Sequence, residues 1–372
     1  MTDVVLDSQD RIKVGEAQCS ADLDRVRGDA VVLTAQDNRR NFRLGVLNGV
    51  LFRAGDVFID TQLVLTWFLS QLGATNLLIG LVSPVRFGGS FLLQMLVSGY
   101  IERKPYKLPF YRTISVFRCA VLLFFALVIA LVPLGSPWLV VAFFTALTLF
   151  SLGAGLVSIP FMDVVGKVVP PRRRGAFFAQ RMFWGGLVTL GGSSVISYLL
   201  TEPLGLIFPH NVAVFFVLAA IFYALTAWSW ILIKEPPSVV PTTAQRSGWA
   251  QLTTQFQRGF GILKNNAVYR RYMLVRLMLV IAGWSGPFYV VYAERELGIG
   301  AELLGLYLAL RTIAALLANL VWGRISDERG NRELIVATAA VGAAAPLIAL
   351  LTGWIGRGVG GARAIDIDIS GP

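Results

Sequence analysis

The sequence has little of what a catalytic or metal centre needs. Its 372 residues hold two cysteines, Cys19 and Cys119, and a single histidine, His210. There is no CxxC pair, so neither a disulfide framework nor a thiolate–metal site has its ligand pattern. A lone histidine with no acidic cluster outside one helix leaves zinc or iron without a ligand set. No glycine-rich loop of the Walker kind is present, which removes direct ATP hydrolysis by this chain. Charge is scarce too: Asp, Glu, Lys and Arg make up 15% of the residues, against about a quarter in soluble domains. No enzyme and no cofactor is expected. The polar residues 1–43 lack the apolar core and cleavage site of a signal peptide, and read as a disordered cytoplasmic extension.

What the chain has instead is apolar length. Hydrophobic residues make up 55% of it and the mean hydropathy is +0.66. A hydrocarbon core of about 30 Å takes roughly 20 residues of helix. Stretches at 44–70, 76–100, 110–133, 138–162, 176–200, 211–233, 270–293, 302–325 and 334–355 meet that ruler, which predicts nine spans, six plus three. The formal net charge of +11 is a topology signal, because basic residues near span ends are retained in the cytoplasm. Arg103, Lys104, Lys107 and Arg112 share one loop, and Lys167, Arg172, Arg173, Arg174 and Arg181 a second. Lys234, Arg246, Arg258, Lys264, Arg270 and Arg271 share a third, and Arg324, Arg329 and Arg332 a fourth, whereas the alternate loops carry only Arg295. This alternation places the amino terminus inside and excludes a nucleic-acid partner. Residues 235–269 form a linker in which Trp249, Leu252, Phe256, Phe260 and Leu263 recur every three or four positions, the pattern of an amphipathic helix lying on the membrane face.

A shift of 225 positions aligns the stretch from Asn76 with the stretch from Ala301, so that Gly80 meets Gly305, Arg86 meets Arg311, Glu102 meets Asp327 and Lys107 meets Arg332. The second copy, Gly323-Arg-Ile-Ser-Asp327-Glu-Arg-Gly330-Asn-Arg332, resembles the signature of the major facilitator superfamily, G-x-x-x-D-(R/K)-x-G-x-(R/K). The first copy keeps the acid and the base, Glu102 and Lys107, and loses both glycines. The resemblance implies an all-α polytopic membrane protein of two bundles, 44–234 and a partial 270–356, related by a parallel repeat, with 357–372 as a polar tail. It also implies a cytoplasmic gate built from Glu102, Lys107, Gly323, Asp327, Gly330 and Arg332, with Asp163 as a further partner. A charge cluster that only fixes loop position is the plainer alternative.

Ionisable side chains inside a span are costly unless they face a cavity or a partner. Arg53, Asp56, Asp60 and Trp67 fall on one stripe of a continuous first helix, with Asp56 near the midplane. Arg86, Arg118, Arg276 and Arg311 add positive charge in helices two, three, seven and eight. Arg53, Asp56, Asp60, Arg86, Arg118 and Arg311 are thus the candidate substrate and proton pathway. A carboxylate in a dry cavity favours its neutral form and can exchange a proton between the two faces. Alternatively, Arg86 and Arg311, matched across the repeat, face each other across the cavity and hold an anionic group. The alternatives are an Arg53–Asp56 pair within one helix, and Arg118 and Arg276 snorkelling towards the cytoplasm.

The expected function is proton-coupled secondary transport of a small organic solute, by a monomer in the cell (inner or plasma) membrane. A non-transporting assembly or pigment-associated factor, or an inactive fragment, are the alternatives. Drug/proton antiporters of the family carry an Arg in helix four and a Gly-Pro pair in helix five, and neither is present. Helices ten to twelve of a mirrored second half are missing, so the sequence reads as truncated at its carboxyl end. The inside-basic orientation is open to test: in a Cys19→Ser, Cys119→Ser background, an impermeant maleimide added outside intact cells should label Gly135→Cys and spare Arg172→Cys. The reverse labelling would invert the topology.

Overall fold

The computed structural model describes residues 34–102, 104–201, 205, 207–238, 257, 259–297, 303–329 and 331–359, and every regular element among them is helical. The first is α1, Ala35–Asp56. It starts ahead of the apolar run, because Thr34 Oγ1 accepts from the Asp37 backbone N–H at 3.1 Å while the Asp37 carboxylate accepts from the Thr34 N–H at 3.3 Å. This reciprocal cap supplies orphan N–H groups with acceptors. The helix therefore extends into residues assigned above to a disordered extension; the remainder of that extension, 1–33, and linker residues 239–256 lie outside the described residues.

The first span is not continuous, which corrects the expectation of one helix over 44–70. After α1 comes a 3-10 turn, Val57–Ile59, and Asp60 then turns extended, with ψ 124°. Its carboxylate accepts from the backbone N–H groups of Gln62 and Leu63, both at 3.0 Å, and α2 runs from Val64 to Gln71. The stripe that joined Asp56 to Trp67 is broken there, and Trp67 is turned into the core. Helix seven is interrupted at the register-equivalent place. In our numbering α3 is Asn76–Glu102, α4 Leu108–Leu131, α5 Pro137–Val168, α6 Arg174–Leu200 and α7 His210–Ile231. These are followed by α8, Ala267–Gly283, and α9, Gly286–Leu297, with Trp284 and Ser285 in the turn between them. The repeat offset maps Asp60 onto Ser285, so the break survives although its side-chain chemistry does not. The last two elements are α10, Leu304–Arg329, and α11, Asn331–Val359.

Among the described residues, five helical stretches are long and apolar enough to cross a bilayer: Leu108–Leu131, Pro137–Val168, Pro171–Leu200, His210–Ile231 and Ala267–Ala293. Leu304–Ala318 and Ile335–Ile348 are shorter apolar stretches. Helix one drops out of such a count because it is interrupted and carries Arg39, Arg40, Arg43, Arg53 and Asp56.

Within the first six spans, α1 packs on α6 and α7, α4 on α5 and α7, and α3 on α5. Phe68, Phe125, Phe143 and Phe216 form the aromatic centre, with Phe125 edge-on to Phe216 at 4.8 Å. Outward apolar side chains such as Phe124, Leu131 and Trp138 are exposed, as expected of helices whose far side meets lipid. The second repeat docks through α10 on α6 and α9 on α2 and α3. Two glycines permit close approach: a Cβ at Gly155 would fall 2.0 Å from the Ser90 carbonyl oxygen, and one at Gly305 would fall 2.1 Å from the Ser193 carbonyl oxygen. Small residues let backbones meet in lipid, where van der Waals contact drives association. Gly155→Val should therefore separate α3 from α5 and destabilise the fold by about 1–3 kcal/mol. A thermal melt in detergent reads this as a lowered Tm, and an unchanged Tm would contradict the close approach.

Candidate functional site

The break in helix one sets the geometry of the site. At its start Asp56 accepts from Arg86 Nη2 at 3.2 Å and from the Tyr223 hydroxyl at 3.1 Å. Arg86 comes from α3 and Tyr223 from α7, so one carboxylate ties three helices together. One turn on, Asp60 receives a two-pronged grip from Arg311 of α10, with Nη1 at 3.0 Å and Nη2 at 2.7 Å. Parallel N–H···O bonds of this kind are the strong form of the arginine–carboxylate contact. Asp60 is therefore fully engaged, by two backbone N–H groups at the α2 start and by a guanidinium from the other repeat.

Each arginine thus holds one aspartate, and the alternative in which Arg86 and Arg311 face each other across a cavity is not what forms. The Arg53–Asp56 alternative is not what forms either: the described partners of Asp56 are Arg86 and Tyr223, and Arg53 is exposed and lies beside Gly185. Arg118 does not snorkel. Its side chain is 5% exposed, and its guanidinium carbon lies 4.2 Å from the Phe150 ring centre and 4.8 Å from that of Tyr223. Arg86 stacks on the same Phe150 at 4.6 Å. Ring faces attract cations, more strongly where water is excluded. Arg276, by contrast, is exposed.

A second constellation closes the basic end of the first bundle. Glu235, just past α7, accepts from the backbone N–H groups of Lys107 and Leu108 at 2.9 and 3.0 Å, capping α4. It also pairs with Lys167 at 2.8 Å, and its side chain is 2% exposed. Lys167 Nζ lies 2.8 Å from Asp163 Oδ2 as well. Lys107 Nζ donates to the Ile101 and Lys104 carbonyls at 2.5 and 2.6 Å, completing the end of α3 as cations do at helix carboxyl ends. Asp163 therefore has Lys167 as its partner. The side chains of Glu102, Gly323, Asp327 and Arg332, and all of Gly330, lie outside the described residues; Asp327 falls within α10 and Arg332 within α11.

Nearby, α1 is stapled to α7. Asn41 exchanges hydrogen bonds with the Lys234 backbone at 3.1 Å, Asn48 donates to the Thr226 carbonyl at 2.8 Å, and Lys234 pairs with Asp37 at 2.6 Å. Lys234 and then Thr34 hold the half-buried Asp37 carboxyl below its ordinary value. Arg181 of α6 joins this staple through the Gly45 carbonyl and Asn48. Sequence reasoning missed Glu235, Tyr223 and Phe150. The EPP stop after helix six was a usable signal for Glu235, whereas one tyrosine and one phenylalanine in apolar helices carry none. Among the described residues, no group of three or more His, Cys, Asp or Glu side chains is gathered for a metal ion.

Interrupted helices one and seven at matched register, together with ion pairs at membrane depth, define a polytopic helical membrane protein built on an internal parallel repeat. The chain belongs to the Major Facilitator Superfamily, whose sequence profile matches residues 46–362. It is similar to the uncharacterized protein Rv2209 of Mycobacterium tuberculosis and to Mb2232 of Mycobacterium bovis, at 25% identity over 228 residues in each case. That match takes in 60% of this chain and 42% of each relative. In fold it is similar to a bacterial homologue of the human lysosomal transporter Spinster, with TM-score 0.55 and 12% identity over 79% of this chain and 64% of that one. A POT family transporter solved with a thioalcohol-conjugated peptide gives TM-score 0.47 and 14% identity, over 78% of this chain and 70% of the other.

Glu235 carries the clearest energetic consequence at this end of the bundle. Glu235→Gln leaves a half-buried Lys167 with Asp163 alone and weakens the α4 cap, so stability should fall by about 2 kcal/mol. A melt of the purified variant checks this, and a drop no larger than that of an exposed Lys104→Gln control would show the network to be unimportant.

Proposed function

We propose that the chain is a secondary active transporter of a small organic solute, driven by protons and working by alternating access, with its amino terminus on the cytoplasmic side of the cell membrane. Family membership supports transport in general. The observation that supports coupling is the Asp60–Arg311 pair, which joins the helix-one break of the first repeat to α10 of the second.

The physical argument is that this bond exists only while Asp60 is ionised and α10 is drawn to the break. A proton on Asp60 removes the charge that holds Arg311 and leaves the two repeats free to rock. Loss of that proton on the other side re-forms the pair. The contacts of α2 with α9, at the end away from the basic loops, support a state closed on that side and open towards the basic end. There the Lys107, Asp163, Lys167 and Glu235 network, with Glu102 and the second-copy residues Gly323, Asp327, Gly330 and Arg332, is the proposed gate. On this reading the chain is not an enzyme and needs no resident cofactor.

Proteoliposomes holding the chain and a trapped pH dye test the idea against a panel of organic acids, amines and neutral solutes. Asp60→Asn should cut solute-dependent proton flux by about tenfold or more, which corresponds to removing one coupling group from the cycle. Arg311→Gln should uncouple flux from the gradient. Undiminished proton-coupled flux in Asp60→Asn would rule this mechanism out.

A further inference from the structure

Arg118 of α4 is a buried cation with no role in the proton-driven cycle. Its stem threads a notch on α5: a Cβ at Gly153 would fall 2.6 Å from the arginine Cγ and 3.0 Å from its Cδ, so the absence of a side chain there makes the room. The guanidinium then rests on the rings of Phe150 and Tyr223. Ring faces attract a cation without neutralising it, and Arg118 Nε and Nη2 have no hydrogen-bond partner among the described residues. Arginine stays protonated in proteins, and a buried charge without an opposite charge is strongly disfavoured. A seat fitted this closely to a cation that neutralises nothing in the present arrangement needs an anion in another.

Asp56 is the acid that can supply it. Tyr223 links the two, because its ring carries Arg118 while its hydroxyl donates to Asp56. The other aspartate of the break, Asp60, is spent on Arg311. Asp56 itself is held loosely. The bonds it accepts, from Tyr223 and from Arg86, both end on Oδ1, and among the described residues Oδ2 receives none. Arg86 makes one bond at 3.2 Å, against the two that Arg311 makes to Asp60. Arg86 also shares the Phe150 ring with Arg118. Two arginines on different helices thus surround one tyrosine–carboxylate pair, and the carboxylate is tied weakly to the first while keeping an oxygen free for the second.

We propose that Arg118 is the second partner of Asp56, so that the carboxylate passes from Arg86 on α3 to Arg118 on α4 whenever the 3.2 Å bond opens. No proton and no solute takes part, and the net charge of the three groups is the same with either partner. Tyr223 is the pivot, its hydroxyl staying on the carboxylate through the exchange. Phe150 is the resting place, since whichever guanidinium is unpaired at the time lies over its ring. Two cations and one anion can then coexist inside the bundle without the anion ever being left bare, and the end of α1 can change its attachment from α3 to α4 without losing its ion pair.

Thermal melts of the purified full chain in detergent, at one scan rate, test this as a double-mutant cycle. In the wild-type background Arg118→Gln removes a cation that Asp56 is not using, and Tm should move by no more than about 3 °C. In the Arg86→Gln background the same substitution strips Asp56 of its remaining counter-charge, and Tm should fall by about 8 °C or more. Arg118→Lys in that background keeps the charge and should cost less than half as much as Arg118→Gln. Adding Asp56→Asn to Arg86→Gln/Arg118→Gln removes the stranded charge and should raise Tm again, or restore folding where the double variant has lost it. Equal shifts for Arg118→Gln in the two backgrounds would show that Arg118 only packs against rings, and would overturn the proposal. So would an Arg118→Lys as costly as Arg118→Gln, or a double variant that Asp56→Asn does not recover. None of these readouts involves proton flux, so the handover and the transport reading stand or fall separately.

Discussion

The carboxylate of Asp60 is the constraint on which the rest of this protein depends. A helix interrupted at membrane depth frees backbone N–H groups from their helical partners, and in lipid every such group needs an internal partner. Asp60 meets that need for the start of α2, and the same two oxygens meet the guanidinium of Arg311. Local backbone geometry and long-range docking of the second repeat are thereby written into one side chain. A change in its charge is felt at both levels at once.

Charge inside the first bundle follows a second logic, set by the low dielectric. Asp56 holds α1, α3 and α7 together through Arg86 and Tyr223, while Arg118 is kept in place by ring faces rather than by an anion. Phe150 is shared by both arginines. Cation–π contact lowers the cost of burying a guanidinium without neutralising it.

The basic end uses ordinary helix chemistry for a different purpose. Glu235 caps α4, Lys107 terminates α3 and Asn41 joins α1 to α7, each supplying a partner to helix-end groups that would otherwise be orphans. The consequence is a first bundle whose helix ends are fixed at that face.

Much of this was legible in the residues alone. Hydropathy, the alternation of basic loops and the repeat that pairs Arg86 with Arg311 are local or periodic properties, so the helical membrane class came directly from them, while the family came from the resemblance of Gly323–Arg332 to its signature. Asp56 and Asp60 stood out because charge at membrane depth is rare. Their partners did not, because pairing depends on how far helices α3, α7 and α10 lie from the break, and one residue of rotation changes which side chain meets which. The break itself was hidden, since no Gly or Pro falls within Val57–Leu63 and the stretch reads as a continuation of the helix unless the Asp60 carboxylate is seen capping the segment that follows. Composition determined that this chain lives in a membrane and where its charges are sunk; the tertiary fold alone decided which charge neutralises which, because that is a matter of distance between segments far apart in sequence.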